Sequence, residues 1–185
     1  GEHSVTIGKA SVDLVWTNET ELESAVYNGQ PYEVKVDVRF NGQSVGSASI
    51  KYTSDEVTVT DGKAVNAGSY TAEATFAGTD NYNATTESYG FTIAKMVLYG
   101  EWEVDDTIAL TYDGTSKAGY ATWTWTTAPL NEGDVTVGYK YELNGAIVDD
   151  VIDAGNYNVD AVFTDNTGNY DTESGILQGD RFDEL

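Results

Sequence analysis

The sequence contains no cysteine, and His3 is its single histidine. The lack of cysteine excludes disulfides, thiolate nucleophiles, zinc fingers and iron–sulfur ligation. One histidine excludes histidine-rich metal sites and argues against histidine-based acid–base chemistry. Basic residues are also scarce, 9 against 31 acidic ones, which gives a formal net charge of −22. A surface this acidic argues against partners that present phosphate, whether nucleic acid or anionic lipid.

Long apolar runs are missing as well. The longest, such as residues 96–99, have the length of a strand, whereas a membrane-spanning helix needs about 18 apolar residues. We therefore expect no membrane insertion by this segment. The chain is nevertheless 40% hydrophobic and 12% aromatic, which is enough to build a core and argues against disorder.

An internal repeat organises what is present. Residues 65–76 recur as residues 152–163 at an offset of 87, and Tyr27-Asn28-Gly29 recurs as Tyr112-Asp113-Gly114 at an offset of 85. Residues 81–83 and 86–88 recur as 169–171 and 172–174. Ordered matches at nearly constant spacing predict two tandem copies of one domain, residues 1–95 and 96–185. The second copy carries 18 of the 31 acidic residues and 3 of the 9 basic ones.

The hydrophobic pattern of each copy alternates with a period of two. In residues 32–40 apolar side chains alternate with charged ones, which is typical of an antiparallel strand with one buried face. Asn41-Gly42, Asp61-Gly62 and Asn144-Gly145 are pairs that favour tight turns. Further strands are predicted over residues 57–60, 70–76, 88–93, 135–143 and 157–163. About seven short strands per copy predict an all-β fold of two tandem immunoglobulin-like antiparallel β-sandwiches.

Tyr70 and Tyr157 follow an Asx-Ala-Gly-x element in both copies. In immunoglobulin-like sandwiches a tyrosine near the start of the F strand hydrogen-bonds back across the preceding corner. We predict such tyrosine corners here, with Gly68 and Gly155 supplying the turn conformation. Two positions on, Ala72 and Val159 stand where a disulfide-bonded member would carry cysteine.

These residues carry a family resemblance. The elements Tyr112-Asp113-Gly114, Asn-Ala-Gly-Ser-Tyr at 66–70, Asp80-Asn81-Tyr82-Asn83 and Phe91-Thr92-Ile93-Ala94-Lys95 resemble the MBG/YDG repeat of bacterial surface adhesins, an immunoglobulin-like family. The second copy departs from the pattern at residues 175–179, Gly-Ile-Leu-Gln-Gly, which lack the Phe-x-Ile-x-Lys ending. The resemblance implies tandem arrays, a cell-surface location and an adhesive or spacer role, with no catalytic residue to transfer.

Acidic clusters are weak candidates for calcium, which prefers six to eight oxygen ligands. No complete calcium loop of the D-x-[DN]-x-[DN]-G type is present, and a solvated acidic surface is the favoured interpretation. No other cofactor is expected. The candidate ligands are Asp149, Asp150, Asp153, Asp165 and Asp171.

Trp123 and Trp125 alternate with threonines, so both rings point to one face of a strand. An exposed pair would provide a platform for stacking on sugars or for a protein contact. A shift of 85 residues places both on Val38 and Phe40, apolar positions of the first copy, which favours a core role instead.

The sequence thus predicts a non-catalytic extracellular repeat module of a bacterial cell-surface or secreted protein, acting as a stalk, spacer or adhesin repeat. Its expected partners are neighbouring repeats of a parent chain. The alternative is a module that binds host glycan, mucin or a surface protein through exposed aromatic residues.

Overall fold

A computed structural model of the chain describes residues 1–172 and the backbone of Arg181–Phe182. The predicted ending over residues 175–179 lies outside the described residues. The chain divides into two compact units, Gly1–Lys95 (unit 1) and Met96–Leu185 (unit 2). Both are built mainly from antiparallel sheets, which confirms the all-β fold class.

Unit 1 contains two three-stranded sheets, in the orders β1-β2-β3 and β4-β5-β6, and every pair within them is antiparallel. A short helix, α1 (Glu19–Glu23), follows β1 and places Leu22 in the interior. The strands are β1 (Asp13–Trp16), β2 (Val36–Phe40), β3 (Gln43–Gly46), β4 (Ser49–Thr53), β5 (Gly68–Phe76) and β6 (Thr85–Ile93).

The core of unit 1 lies between these two sheets. Leu14 and Val38 project from the first sheet, and Ala74 and Phe76 from the second, into one buried cluster. Burial of apolar side chains contributes about 25 cal/mol per Å² removed from water. Two sheets that share a core in this way form a β-sandwich.

Two predicted strands of unit 1 were wrong in extent. The alternation over residues 32–40 forms a strand only from Val36, and Tyr32 makes an isolated bridge to Ala64. Residues 57–60 form no strand, and only Thr60 bridges to Lys63 across the Asp61-Gly62 turn. Alternation reports which side chains are buried, and it does not require a continuous ladder of main-chain hydrogen bonds.

Unit 2 pairs β8 with β9, places four strands in the order β11-β10-β12-β14, and pairs β7 in parallel with β13. The rings of Trp123 and Trp125 on β9 lie 5.1 and 5.2 Å from that of Phe163 on β12, so these two antiparallel sheets also share a core. The strands are β7 (Met96–Val97), β8 (Tyr99–Val104), β9 (Ala121–Thr127), β10 (Val135–Leu143), β11 (Ala146–Val148), β12 (Tyr157–Asp165), β13 (Tyr170–Asp171) and β14 (Arg181–Phe182).

The predicted tight turns are confirmed. Asn41, Asp61 and Asn144 have φ values of 48°, 49° and 53°, each followed by a glycine that also has positive φ. Asn and Asp tolerate this left-handed region better than other non-glycine residues. The Asn41-Gly42 and Asn144-Gly145 turns join antiparallel neighbours, β2 to β3 and β10 to β11.

Each unit also pairs its first residues in parallel with a later segment. In unit 1, Ala10 bridges to Tyr82, and Val26 bridges to Ala94. In unit 2, Met96 pairs with Tyr170 through β7 and β13. The beginning of each unit is therefore hydrogen-bonded to a segment near that unit's other end.

Candidate functional site

Both tyrosine corners have the predicted geometry. The Tyr70 hydroxyl donates to the main-chain carbonyl of Asn66 at 2.9 Å, and the Tyr157 hydroxyl donates to that of Asp153 at the same distance. Both tyrosines are buried, and burial raises the pKa of Tyr70. Each corner hydrogen-bonds a loop to the start of the following strand, which is a structural role.

Of the two corner glycines, Gly68 has the predicted backbone conformation and Gly155 does not. Gly68 has a φ of +147°, and a Cβ there would lie 2.8 Å from Val57 Cγ1. Gly155 does not adopt positive φ, so it does not supply a left-handed turn. Its missing side chain instead admits Leu143, whose Cδ1 would overlap a Cβ at this position.

Trp123 and Trp125 belong to an aromatic cluster inside unit 2. Trp123 is buried and Trp125 is half-buried, so the two rings do not form an exposed stacking platform. The Trp123 ring meets the Trp102 ring edge-on at a centroid distance of 5.8 Å. The Trp123 amide donates to the Tyr139 hydroxyl at 2.7 Å. Core filling is therefore the role that the packing supports.

The strand ladders correct the predicted equivalence of these tryptophans. Trp102 pairs with Trp123 in unit 2, as Trp16 pairs with Val36 in unit 1. Trp123 thus corresponds to Val36, and Trp125 to Val38, at an offset of 87 rather than 85. Side chains two residues apart point to the same face of a strand. The prediction that Trp123 and Trp125 face the interior therefore still holds after this correction.

The larger side chain is accommodated by Gly100. This glycine lies opposite Trp125 in the ladder, where unit 1 has Leu14 opposite Val38. A Cβ at Gly100 would overlap Trp123 Nε1 and lie 2.6 Å from the carbonyl oxygen of Thr124. Trp123 Nε1 is buried without a hydrogen-bond partner among the described residues.

The candidate calcium ligands fall into two separate loops. Asp150 accepts hydrogen bonds from Ser116 Oγ and from the Val151 amide, whereas Asp149 is exposed and Asp153 uses its carbonyl at the tyrosine corner. Asp165 ends β12 and Asp171 lies in β13, on either side of the other loop. Within residues 1–172 no group of three or more His, Asp or Glu side chains is arranged to hold a metal ion.

Several aspartates cap loops. Asp165 accepts from the amides of Thr167, Gly168 and Tyr170 at 2.8–2.9 Å. Asp113 accepts from the Thr115 amide at 2.9 Å and from Lys117 Nζ at 2.8 Å. Unit 1 uses uncharged groups in the corresponding loops: Asn28 caps Gln30, and Thr79 caps Asn81 and Tyr82. Part of the extra acidity of unit 2 therefore has a structural explanation.

These contacts lower the pKa values of the carboxyl groups. Lys117, followed by Thr115, holds the pKa of Asp113 well below its usual range, and Thr107 lowers that of Asp105. The Tyr170 hydroxyl, 2.6 Å from Asp134, lowers the pKa of that residue. Burial raises the pKa of Asp165, but the hydrogen bonds from Tyr170, Thr167 and Gly168 outweigh it, and the net direction is down.

A groove in unit 2 was not predicted from the sequence. It encloses a cavity of about 140 Å³ beside the tyrosine corner. The apolar residues Leu110 and Tyr112 form its rim and are 49% and 62% exposed. The repeat gives no signal for this exposure, because the corresponding residues of unit 1, Ala25 and Tyr27, are buried. The lining is completed by Thr111, Lys117, Val151, Ile152, Asp153, Ala154, Gly155 and Tyr157.

Comparisons of the chain with protein-family models, curated proteins and solved structures found no match. Over the described residues, no helix has the length and apolar character that crossing a membrane requires.

Proposed function

We propose that the chain is a non-catalytic extracellular repeat module of a bacterial cell-surface or secreted protein, acting as a stalk or adhesin repeat that extends and presents its neighbours. The observation that carries the proposal is the parallel pairing that joins the beginning of each unit to a segment near its other end. A repeat that transmits force along a chain needs contacts of this kind.

In unit 1 the parallel pairing consists of four main-chain hydrogen bonds. Ala10 donates to Asn81 O and accepts from the Asn83 amide, both at 2.9 Å. Ala94 donates to Ala25 O at 2.9 Å and accepts from the Tyr27 amide at 2.8 Å. Because the paired segments run parallel, a pull on the two ends of the unit slides them past each other and loads these bonds together. Bonds loaded together resist more force than bonds opened one at a time.

Unit 2 has the same arrangement at its start. The Met96 amide donates to Asn169 O at 3.0 Å, and the Leu98 amide lies 3.5 Å from Asp171 O. The repeated residues of both units also have structural roles, since the tyrosines hold corners and the aspartates and asparagines cap loops. The partners that this role requires are neighbouring repeats of a longer chain.

Binding of host glycan, mucin or a surface protein is the alternative function. The burial of Trp123 removes one of the two rings on which that alternative was first based. The exposed rings of Tyr99 and Tyr112 now carry it, because an open aromatic face can stack on a sugar.

A glycan array and a mucin pull-down with the full chain separate the two functions. The stalk proposal predicts no reproducible sugar binding by the wild-type chain. Binding that Tyr112→Ala abolishes, and that the matched exposed variant Ile147→Ala retains, would overturn the stalk proposal in favour of the glycan-binding module.

A further inference from the structure

Three asparagines of the chain precede a glycine, and the fold holds them in two different ways. Asn41-Gly42 and Asn144-Gly145 close hairpins, with the asparagine at a φ of 48° or 53° and paired strand residues on both sides. Asn28 does not have positive φ, and Asn28-Gly29 lies in a loop between the isolated bridges of Val26 and Tyr32. The Asn28 side chain is exposed, so water reaches it.

Two hydrogen bonds hold the side-chain amide of Asn28. Its Oδ1 accepts from the Gln30 main-chain amide at 2.8 Å, and its Nδ2 donates to the Tyr32 hydroxyl at 3.3 Å. A donor on Oδ1 withdraws electron density from the side-chain carbon Cγ, and it stabilises the negative charge that develops on the oxygen when a nucleophile adds to that carbon. Asn28 is thus held with its Cγ activated toward attack.

The nucleophile is the main-chain nitrogen of the next residue. Gly29 has no side chain to hinder the approach of its nitrogen to Asn28 Cγ. We propose that Asn28 is a self-modification site, at which the folded chain converts this asparagine to aspartate without an enzyme.

The reaction consumes one water and releases one ammonia. The Gly29 nitrogen bonds to Asn28 Cγ and loses its proton, the bond from Cγ to Nδ2 breaks, and Nδ2 leaves as ammonia with that proton. The resulting cyclic imide is opened by water at one of its two carbonyl carbons. Opening at one carbon gives aspartate, and opening at the other gives aspartate linked to Gly29 through its side chain. No oxidant or reductant is needed.

Unit 2 shows that an aspartate fits this loop. Asp113 stands at the position of Asn28 in the repeat, and Gly114 follows it as Gly29 follows Asn28. Its Oδ1 accepts from the Thr115 amide at 2.9 Å, the same contact that Asn28 Oδ1 makes with Gln30. The aspartate product therefore keeps the hydrogen bond that caps the loop.

The hairpins disfavour the same reaction at the other two asparagines. The imide ring fixes the rotation about the bond between Cα and the carbonyl carbon of the asparagine. In a two-residue hairpin that rotation is set by the turn, and changing it separates the paired residues on either side. Those residues are Phe40 with Gln43 and Leu143 with Ala146. Ring closure at Asn41 or Asn144 must therefore break hydrogen bonds that the loop of Asn28 does not have.

This inference goes beyond the proposed function, because it depends only on the chemistry of one loop and holds whether or not the chain is a stalk.

Incubation of the full chain at mildly alkaline pH, followed by peptide mapping with mass spectrometry, tests the inference. The exchange of NH₂ for OH raises the mass of the peptide that contains it. We expect Asn28 to react about tenfold faster than Asn41 or Asn144, the ratio equivalent to one hydrogen bond of about 1.4 kcal/mol in each hairpin. Ammonia release should follow the same time course as the Asn28 peptide.

Two variants assign the reaction to its residue. Asn28→Gln keeps an exposed amide but moves its carbon one bond further from the Gly29 nitrogen, so the fast phase of ammonia release should disappear. Asn41→Gly is the matched control, because glycine keeps the positive φ of that turn, and the fast phase should remain.

The same measurement in urea separates the effect of the fold from that of the sequence. In the unfolded chain all three asparagines precede a glycine without a turn to hold them, so their rates should become similar. The inference is overturned if Asn28 of the folded chain reacts no faster than Asn41 and Asn144. It is equally overturned if the preference for Asn28 persists unchanged in urea, since the loop would then contribute nothing.

Discussion

At the scale of single residues, the two units solve the same packing problem with different side chains. Unit 1 fills its interior with Leu14 and Val38, whereas unit 2 places Trp123 over Gly100. Protein interiors are close-packed, so an increase of volume at one position requires a decrease nearby. Gly100 and Trp123 therefore depend on each other for packing, although neither residue alone indicates this in the sequence.

Gly100→Ala should destabilise unit 2 by about 1–3 kcal/mol, the usual effect of overpacking a core. The added Cβ would lie 2.6 Å from Thr124 O and would overlap the indole of Trp123. Urea unfolding followed by tryptophan fluorescence measures the loss. Gly138→Ala is the matched control in the same unit, since its Cβ would lie 3.8 Å from Val162 O, an ordinary contact. Equal midpoints for the two variants would contradict this packing account.

Tyr70→Phe and Tyr157→Phe should each destabilise their own unit by about 0.5–1.5 kcal/mol, because each removes a partly buried hydrogen bond from a buried tyrosine to the main chain. Amide resonances of the full chain during urea unfolding report the two units separately. Tyr112→Phe removes a hydroxyl from an exposed ring and should have no effect. A Tyr157→Phe change that destabilises both units equally would argue against independent corners.

At the scale of loops and strands, the elements with strong local signals were predictable. The strand at residues 135–143 has the predicted bounds, and the turns at Asn41, Asp61 and Asn144 depend only on the backbone preferences of two residues. The extent of the strand over residues 32–35 was not predictable, because Val34 is buried and Tyr32 half-buried with only one isolated bridge, from Tyr32 to Ala64, in place of a ladder. Helix α1 was also missed, since a single buried residue, Leu22, gives no helical period.

Some features of the candidate site were predictable from local sequence signals and others were not. The tyrosine corners follow from a local motif, and both hydrogen bonds are present. The groove depends on which chain segment covers Leu110 and Tyr112, a tertiary property that no local pattern encodes. The acidic clusters were ambiguous, because carboxylates that cap loops and carboxylates that bind calcium have the same composition.

The loop capped by Asp165 should make the stability of unit 2 depend on pH. Its folded-state pKa is lowered, so its stabilising contribution is present above the unfolded value of about 3.9 and is lost as the pH falls through the folded value. In Asp165→Asn an NH₂ group replaces one of the two carboxylate oxygens that accept the loop amides, and an NH₂ group cannot accept a hydrogen bond. The substitution should therefore lower the free energy of unfolding of unit 2 by about 1.5 kcal/mol at neutral pH.

The difference in urea midpoint between the wild type and Asp165→Asn should be constant from about pH 7 to about pH 5 and should shrink below about pH 4. Asp106→Asn changes the net charge equally at an exposed residue and should show little difference at any pH. A gap between the wild type and Asp165→Asn that persists unchanged in acid would show that the carboxylate is not the stabilising group.

At the scale of the whole molecule, the chain consists of two sandwiches, each with its beginning hydrogen-bonded to a segment near its other end. Mechanical load enters such a unit at the bonds made by Ala10 in unit 1 and by Met96 in unit 2. The acidity of unit 2 belongs partly to its capped loops.

The most direct measurement of the central claim is single-molecule pulling of the full chain from its two ends. We expect two separate unfolding events, each releasing about 300 Å of chain, since roughly 90 residues extend by up to about 3.5 Å each. Ala10→Pro removes the amide that donates to Asn81 O, so it should lower the force of one event and leave the other unchanged as an internal control. Extension without force peaks, or an Ala10→Pro trace identical to that of the wild type, would contradict the claim that the main-chain bonds of each repeat resist the applied force.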